Sequence, residues 1–247
     1  MRIKVRKIHL VKLLLATSFF TCESAYALEI NSPYIESGMI ELETQNTFVS
    51  DNNSSRDNFR QHKLAVGYGV NDFWGVELEG ELEKESGHGY KYSATEFSNC
   101  FQLTETGEYW ADLGAKFSYE IANSKGSADK LEGFLLVQKN FSKFSSIANI
   151  GMEKEIGSNS NGNPEAEIKL LTRYNYQSNL NPAIEYYGSF GEISHSGGLD
   201  EQSHKIGPAL SGKLWQGVKY DVATLFGLSK SAGNFTLKLN LEYEFPY

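Results

Sequence analysis

The sequence predicts an all-β chain folded as a transmembrane antiparallel up-and-down β-barrel of about twelve strands. Three observations carry that reading. Apolar and polar residues alternate with period two in segment after segment from residue 38 onward, the pattern of strands with one apolar face. The connections alternate between longer polar loops and short turns. The composition, with 14 Tyr, 15 Phe, 3 Trp and 23 Gly at modest overall hydropathy, suits half-buried strands better than helices.

Residues 1–27 read as a cleavable signal peptide. Arg2, Lys4, Arg6, Lys7 and Lys12 form a basic start, Leu13 to Phe20 an apolar run, and Ala25-Tyr26-Ala27 a small-x-small cleavage site. The run is far shorter than the roughly 20 apolar residues that span a bilayer as a helix. Phe20 and Thr21 before Cys22 do not fit a lipid-attachment site. The barrel domain is then 28–247, with no Pro-rich or Ser-rich linker and no second long apolar stretch.

Removing residues 1–27 takes away five basic residues and Glu23, leaving 18 Lys and Arg against 30 Asp and Glu. So acidic a chain is no partner for nucleic acid. Cys100 is the one thiol left, which excludes a disulfide framework and a Cys-based zinc site within one chain.

The expected strands are 38–48, 58–69, 73–84, 94–105, 109–121, 131–141, 144–156, 165–176, 182–193, 203–214, 218–228 and 235–246. Longer loops are expected at 49–57, 85–93, 122–130, 157–164, 194–202 and 229–234. Short turns are expected around Asn71, Gly107, Ser142, Leu180 and Gln216. Short turns on one edge and longer loops on the other are the asymmetry of a membrane barrel. So much strand is foreign to a soluble domain, where roughly 20–25% is usual. A closed barrel resolves the conflict, because closure satisfies every edge hydrogen bond in lipid.

Facing follows from charge. A Lys or Arg facing mid-bilayer lipid costs about 2–4 kcal/mol, so the charged face of each strand must look inward. On 73–84, Trp74, Val76, Leu78 and Leu82 look outward, and Glu77, Glu79, Glu81 and Glu83 inward. On 109–121, Ala111, Leu113, Ala115, Phe117, Tyr119 and Ile121 look outward; on 165–176, Glu167, Lys169, Arg173 and Asn175 look inward. Aromatics near strand ends, among them Phe141, Phe144, Tyr174, Tyr176, Trp215, Tyr243 and Phe245, suit interfacial girdles. In-strand glycines at 67, 80, 114, 151, 188 and 207 suit bends or close approaches.

The chain ends on TLKLNLEYEFPY, with Leu237, Leu239, Leu241, Tyr243 and Phe245 on one face and Lys238, Asn240, Glu242 and Glu244 on the other. Pairing this strand with 38–48 closes the barrel. The export signal, the twelve amphipathic strands and this aromatic ending together resemble Gram-negative outer-membrane β-barrel proteins. The resemblance implies residence in outer-membrane lipid and delivery by the barrel assembly machinery. It implies that Leu241, Tyr243, Phe245 and Tyr247 belong to the assembly signal, although Pro246 and a final Tyr depart from the commoner Phe ending. LEYEF and RQHKLAVGYGV also resemble, more loosely, uncharacterised outer-membrane proteins grouped with transporters linked to aromatic-compound degradation.

The inward face carries the candidate functional residues. Glu41, Glu43, Glu77, Glu79, Glu81, Glu83, Glu242 and Glu244 fall on strands that meet around the closing seam, with Lys63, Lys169, Arg173 and Lys238 as inward bases. An acidic wall focuses cations, which points to a channel or uptake protein for small polar or cationic solutes. The alternatives are a structural or adhesive barrel with an ion-pair-filled lumen and functional loops, or an outer-membrane hydrolase. Hydrolysis would need a Ser–His arrangement such as His204 with Ser211, or His62 with a nearby Ser. No P-loop, GxGxxG, HExxH or EF-hand loop occurs, and no two histidines have metal-ligand spacing on one element, so no catalytic residue, cofactor or metal is expected.

Overall fold

The computed structural model describes residues 28–160 and 162–247. The expected signal peptide lies outside the described residues. Twelve strands form one closed antiparallel barrel, each paired with its neighbours in sequence and the first with the last. They are β1 Met39–Ser50, β2 Phe59–Asn71, β3 Trp74–Lys84, β4 Lys91–Gln102, β5 Asp112–Ala122 and β6 Asp129–Phe141. They continue with β7 Phe144–Ile156, β8 Pro164–Tyr174, β9 Asn181–Glu192, β10 Ser203–Trp215, β11 Val218–Gly227 and β12 Phe235–Pro246.

Why these segments become strands is visible in which side chains reach solvent or lipid. Along β5, Asp112, Gly114, Lys116 and Ser118 are buried, while the alternate Phe117, Tyr119 and Ile121 are exposed. The same inversion runs round the barrel: Leu64, Leu78, Phe97, Ile150 and Ile184 are exposed, whereas Lys63, Glu79, Ser98, Asn149 and Glu185 are buried. A water-soluble sheet would do the opposite. Only lipid outside and a polar interior make this distribution favourable.

Closure is complete over the terminal strands, with Met39 opposite Pro246 and Ser50 opposite Phe235. At the short-turn end, Phe141, Phe144, Tyr174 and Tyr176 form a continuous row of ring contacts with centroids 5.7, 5.3 and 6.3 Å apart, the outer two pairs stacked and the middle one tilted. Tyr243 stacks on Phe245 at 5.3 Å. Such a row forms one arc of an aromatic girdle.

Strand ends shift by a residue or two in many places, and the two largest departures from the sequence reading flank β4. β4 starts at Lys91, inside the expected loop, and a bulge between Glu81 and Leu82 restores its register with β3. The connection between β4 and β5 is no tight turn: it runs from Leu103 to Ala111 and leaves Trp110 78% exposed. Side chains make it a loop. The Leu113 amide donates to Thr104 Oγ1 at 2.9 Å and the Gly107 amide to Asp112 Oδ1 at 2.6 Å, occupying groups that would otherwise extend the ladder.

Candidate functional site: the inner wall and its N-terminal insert

The sequence-predicted inward residues divide into two levels. Glu41, Glu43, Glu77, Arg173, Lys238, Glu242 and Glu244 line a cavity of about 900 Å³ that occupies the short-turn half of the lumen. Lys63, Glu79, Glu81 and Lys169 lie above it in a packed charged layer, and Glu83 lies on the inner face of β3 towards the loops.

The packed layer is held by ion pairs. Lys63 Nζ meets Glu79 at 2.6 Å and Glu81 at 3.4 Å; Lys169 meets Glu167 at 3.5 Å; Lys130 meets Glu153 at 3.4 Å. Lys238 lies 2.8 Å from Glu185 and 2.6 Å from Asp221. Glu185 is 0% exposed and also accepts a hydrogen bond from the Tyr187 hydroxyl at 2.9 Å. Burying charges this deeply is tolerable only because each has partners.

Residues 28–37, which the sequence reading left without a role, enter the lumen. Leu28 is buried against Ala183, Tyr187, Ala209, Ala223 and Leu225. The segment then descends across the wall towards the short turns. The Asn31 amide donates to Asn149 Oδ1 at 2.7 Å, and Asn149 Nδ2 returns a bond to the Asn31 carbonyl at 2.8 Å. Ser32 Oγ donates to Gln138 at 2.9 Å, Tyr34 OH to Asp112 at 2.5 Å, and the Ile35 amide to Gln102 at 3.0 Å. Burial, then the Asp112 hydrogen bond, push the Tyr34 hydroxyl up to about 12, so it keeps the proton it donates.

Of the segment's two carboxylates, Glu29 and Glu36, Glu29 joins the charged layer. It lies 3.5 Å from Lys116 Nζ, which also reaches Glu77 at 3.3 Å and Glu96 at 3.8 Å. Burial is the largest single influence and opposes ionisation of Glu29, but the ammonium groups of Lys116, Lys63 and Lys169 together outweigh it and hold the carboxyl below its usual range. The insert therefore divides the lumen into a packed upper part and an acid-rich vestibule.

Across the seam, Glu41 faces Glu244 and Glu43 faces Glu242 in the β1–β12 ladder, and Glu41, Gly67 and Glu77 share one row across β1, β2 and β3. Lys219 bonds Glu242 at 2.7 Å and also bonds Glu244. Arg173 Nε on β8, Ser211 Oγ on β10 and Asn240 Oδ1 on β12 are buried and have no hydrogen-bond partner among the described residues, and all three residues line the vestibule. Cys100, whose setting the sequence left open, lines it too.

Among the described residues neither His62 nor His204 bonds a serine through its ring. His204 bonds Tyr186 OH at 2.8 Å and Gln202 Oε1 at 2.9 Å, and strand alternation sets it on the opposite face of β10 from Ser211. His62 bonds Asn46 and Tyr90.

Sequence reasoning missed Glu29, Glu96, Glu185 and Asp221 as members of these networks. It also missed the insert, although the glycines carried a signal. Gly69 lies under the Glu36 carbonyl, Gly75 near Ile35 and Gly114 against Pro33. Glycines gathered at the short-turn ends of β2, β3 and β5 mark a surface where another backbone comes close.

No protein-family model matches the chain, and no curated protein matches it. Solved structures do match in fold. The KdgM porin superposes with a TM-score of 0.58 at 11% identity, covering 83% of this chain and 99% of that one; it has also been solved in complex with disordered oligogalacturonate. The COG4313 outer membrane channel from Pseudomonas putida F1 gives 0.59 at 15% identity, covering 85% and 97%. The translocator domain of the autotransporter NalP from Neisseria meningitidis gives 0.53 at 13%, covering 88% and 91%. At these identities the likeness is one of architecture: the chain shares the barrel fold of these outer-membrane proteins.

Proposed function

We propose that the protein is an outer-membrane channel for small polar or cationic solutes, its flow limited by residues 28–37. In this reading residues 1–27 are removed on export, the barrel assembly machinery inserts the chain into outer-membrane lipid, and the remaining partner is a small solute. The observation that carries it is the vestibule of about 900 Å³, walled on the seam side by Glu41, Glu43, Glu77, Glu242 and Glu244 and ending on the insert. Inside a low-dielectric wall, carboxylates in excess over ammonium groups draw cations in and repel anions.

The polar atoms of Arg173, Ser211 and Asn240 that lack partners add hydrogen-bonding capacity for a solute. The same wall argues against a polyanion such as the oligogalacturonate seen with the KdgM porin. It argues equally against an aromatic hydrocarbon, which would lose nothing by staying out of a charged cavity and would strip water from the carboxylates by entering it.

A second reading, a structural barrel with functional loops, draws on the packed ion-pair layer above the vestibule and on the tied loops. Arg56 bridges Asp51 to the carbonyls of Lys230 and Ser231, and Lys230 pairs with Asp200. Single-channel recording in planar bilayers separates the two. The channel reading expects conductance with cation preference that grows when residues 28–35 are deleted. Silence from both the intact and the deleted protein, or anion preference, would overturn it.

A further inference from the structure

The vestibule's seam wall holds a feature that solute passage does not require. One carboxylate oxygen each from Glu29, Glu43 and Glu77 lie within 4.8 Å of one another. They come from three separate elements: the insert, β1 and β3. Carboxylates gathered in an acidic protein are not in themselves a binding site, so the state of each matters.

Glu43 is the one that stands out. It is 8% exposed, yet it makes no hydrogen bond or ion pair among the described residues, and its ladder neighbour on β12 is another carboxylate, Glu242. The surrounding ammonium groups are committed elsewhere: Lys63 to Glu79 and Glu81, Lys219 to Glu242 and Glu244, Lys238 to Glu185 and Asp221. Lys116 serves Glu29 and Glu77 but not Glu43. Water in the vestibule reaches this carboxylate, but its repulsion with the two carboxylates beside it is relieved by a proton or a cation.

Donor chemistry and tolerance of irregular geometry select the cation. All three donors are hard oxygens, which suit Ca²⁺, Mg²⁺ or Mn²⁺. Ca²⁺ accepts irregular oxygen shells of varied number, whereas Mg²⁺ demands a near-ideal octahedron and gives up its water reluctantly. Three carboxylates brought in from an irregular segment and two separate strands suit the more tolerant ion, with water completing its shell. We propose that Glu29, Glu43 and Glu77 bind one Ca²⁺, which bridges the insert to the barrel wall beside the closing seam. This site does not depend on whether the barrel conducts.

The test is calcium binding by the full exported chain, purified in detergent and freed of divalent ions by a chelator. Equilibrium dialysis against ⁴⁵Ca²⁺ should show one saturable site per chain. Glu43→Gln should weaken it about tenfold or more, roughly 1.4 kcal/mol, with Mg²⁺ a poorer competitor. Lipopolysaccharide carried through purification binds calcium equally in both proteins, so the difference between them reports the site. Glu77→Gln should act likewise and stands in if Glu43→Gln does not fold, while Glu201→Gln in the loop before β10 should change nothing. No saturable binding by the folded wild-type protein, equal binding by wild type and Glu43→Gln, or loss confined to Glu201→Gln would each overturn the assignment.

Discussion

Pro33 lies so close to Gly114 that a β-carbon added to the glycine would stand 2.8 Å from the proline Cβ and 2.9 Å from the Phe101 carbonyl. The insert passes the wall of β5 at a point where only a glycine leaves room. We expect Gly114→Ala to unseat residues 32–34 from the wall, because the backbone of β4 behind it cannot yield. Single-channel recording should then show larger or noisier openings than wild type. Unchanged conductance with unchanged folding would show that the insert's seat does not control the path.

Lys238 and Glu185 form the most deeply buried ion pair described above, the carboxylate being 0% exposed and the lysine 3%. Removing one partner strands the other. Lys238→Met should cost about 3–5 kcal/mol, read as a lower urea midpoint for unfolding in detergent or lipid. The double variant Lys238→Met with Glu185→Gln should recover part of that loss, since the more deeply stranded charge is gone while Asp221 still lacks its lysine. If the single variant were as stable as wild type, the pair would be contributing nothing.

Cys100 is the one free thiol among the described residues and lines the vestibule. A cationic methanethiosulfonate added from the short-turn side should label it several-fold faster than an anionic reagent of similar size, because the carboxylates around it concentrate cations. Raising the salt concentration should narrow the difference by screening. Equal rates at low salt would contradict an acidic vestibule.

The Phe245 ring stacks on Tyr243, and its backbone pairs with Ile40 at the seam. As part of the expected assembly signal, Phe245→Ala should lower the amount of folded barrel recovered from cells while leaving refolding into detergent near wild type. Heat-modifiable gel migration reads both. Equal losses in the two settings would make the residue a matter of stability rather than of recognition.

The barrel was legible because lipid and lumen mark it residue by residue. Glu77, Glu79, Glu81 and Glu83 alternate with Leu78 and Leu82 on a single strand, and period two alone assigns their faces. Strand number and hairpin order followed from the same local pattern, and the acidic seam from requiring the first and last strands to meet. The β4–β5 connection was read too short because its geometry is set by the Thr104 and Asp112 side chains, which carry no periodic signal.

Leu28 to Ser37 has no period at all, so nothing local says that it enters the lumen. Its position comes from partners more than sixty residues away, such as Asn149 for Asn31 and Gln102 for Ile35. Sequence by itself therefore determined the number of strands, their order and which face of each meets lipid, because those depend on neighbours in the chain or in the next hairpin. The tertiary structure alone decided that the lumen holds an insert, and that Lys63, Lys116 and Lys238 are each committed while Glu43 is left without a partner. Pairing across a lumen depends on distances between strands far apart in the chain, and no local pattern encodes them.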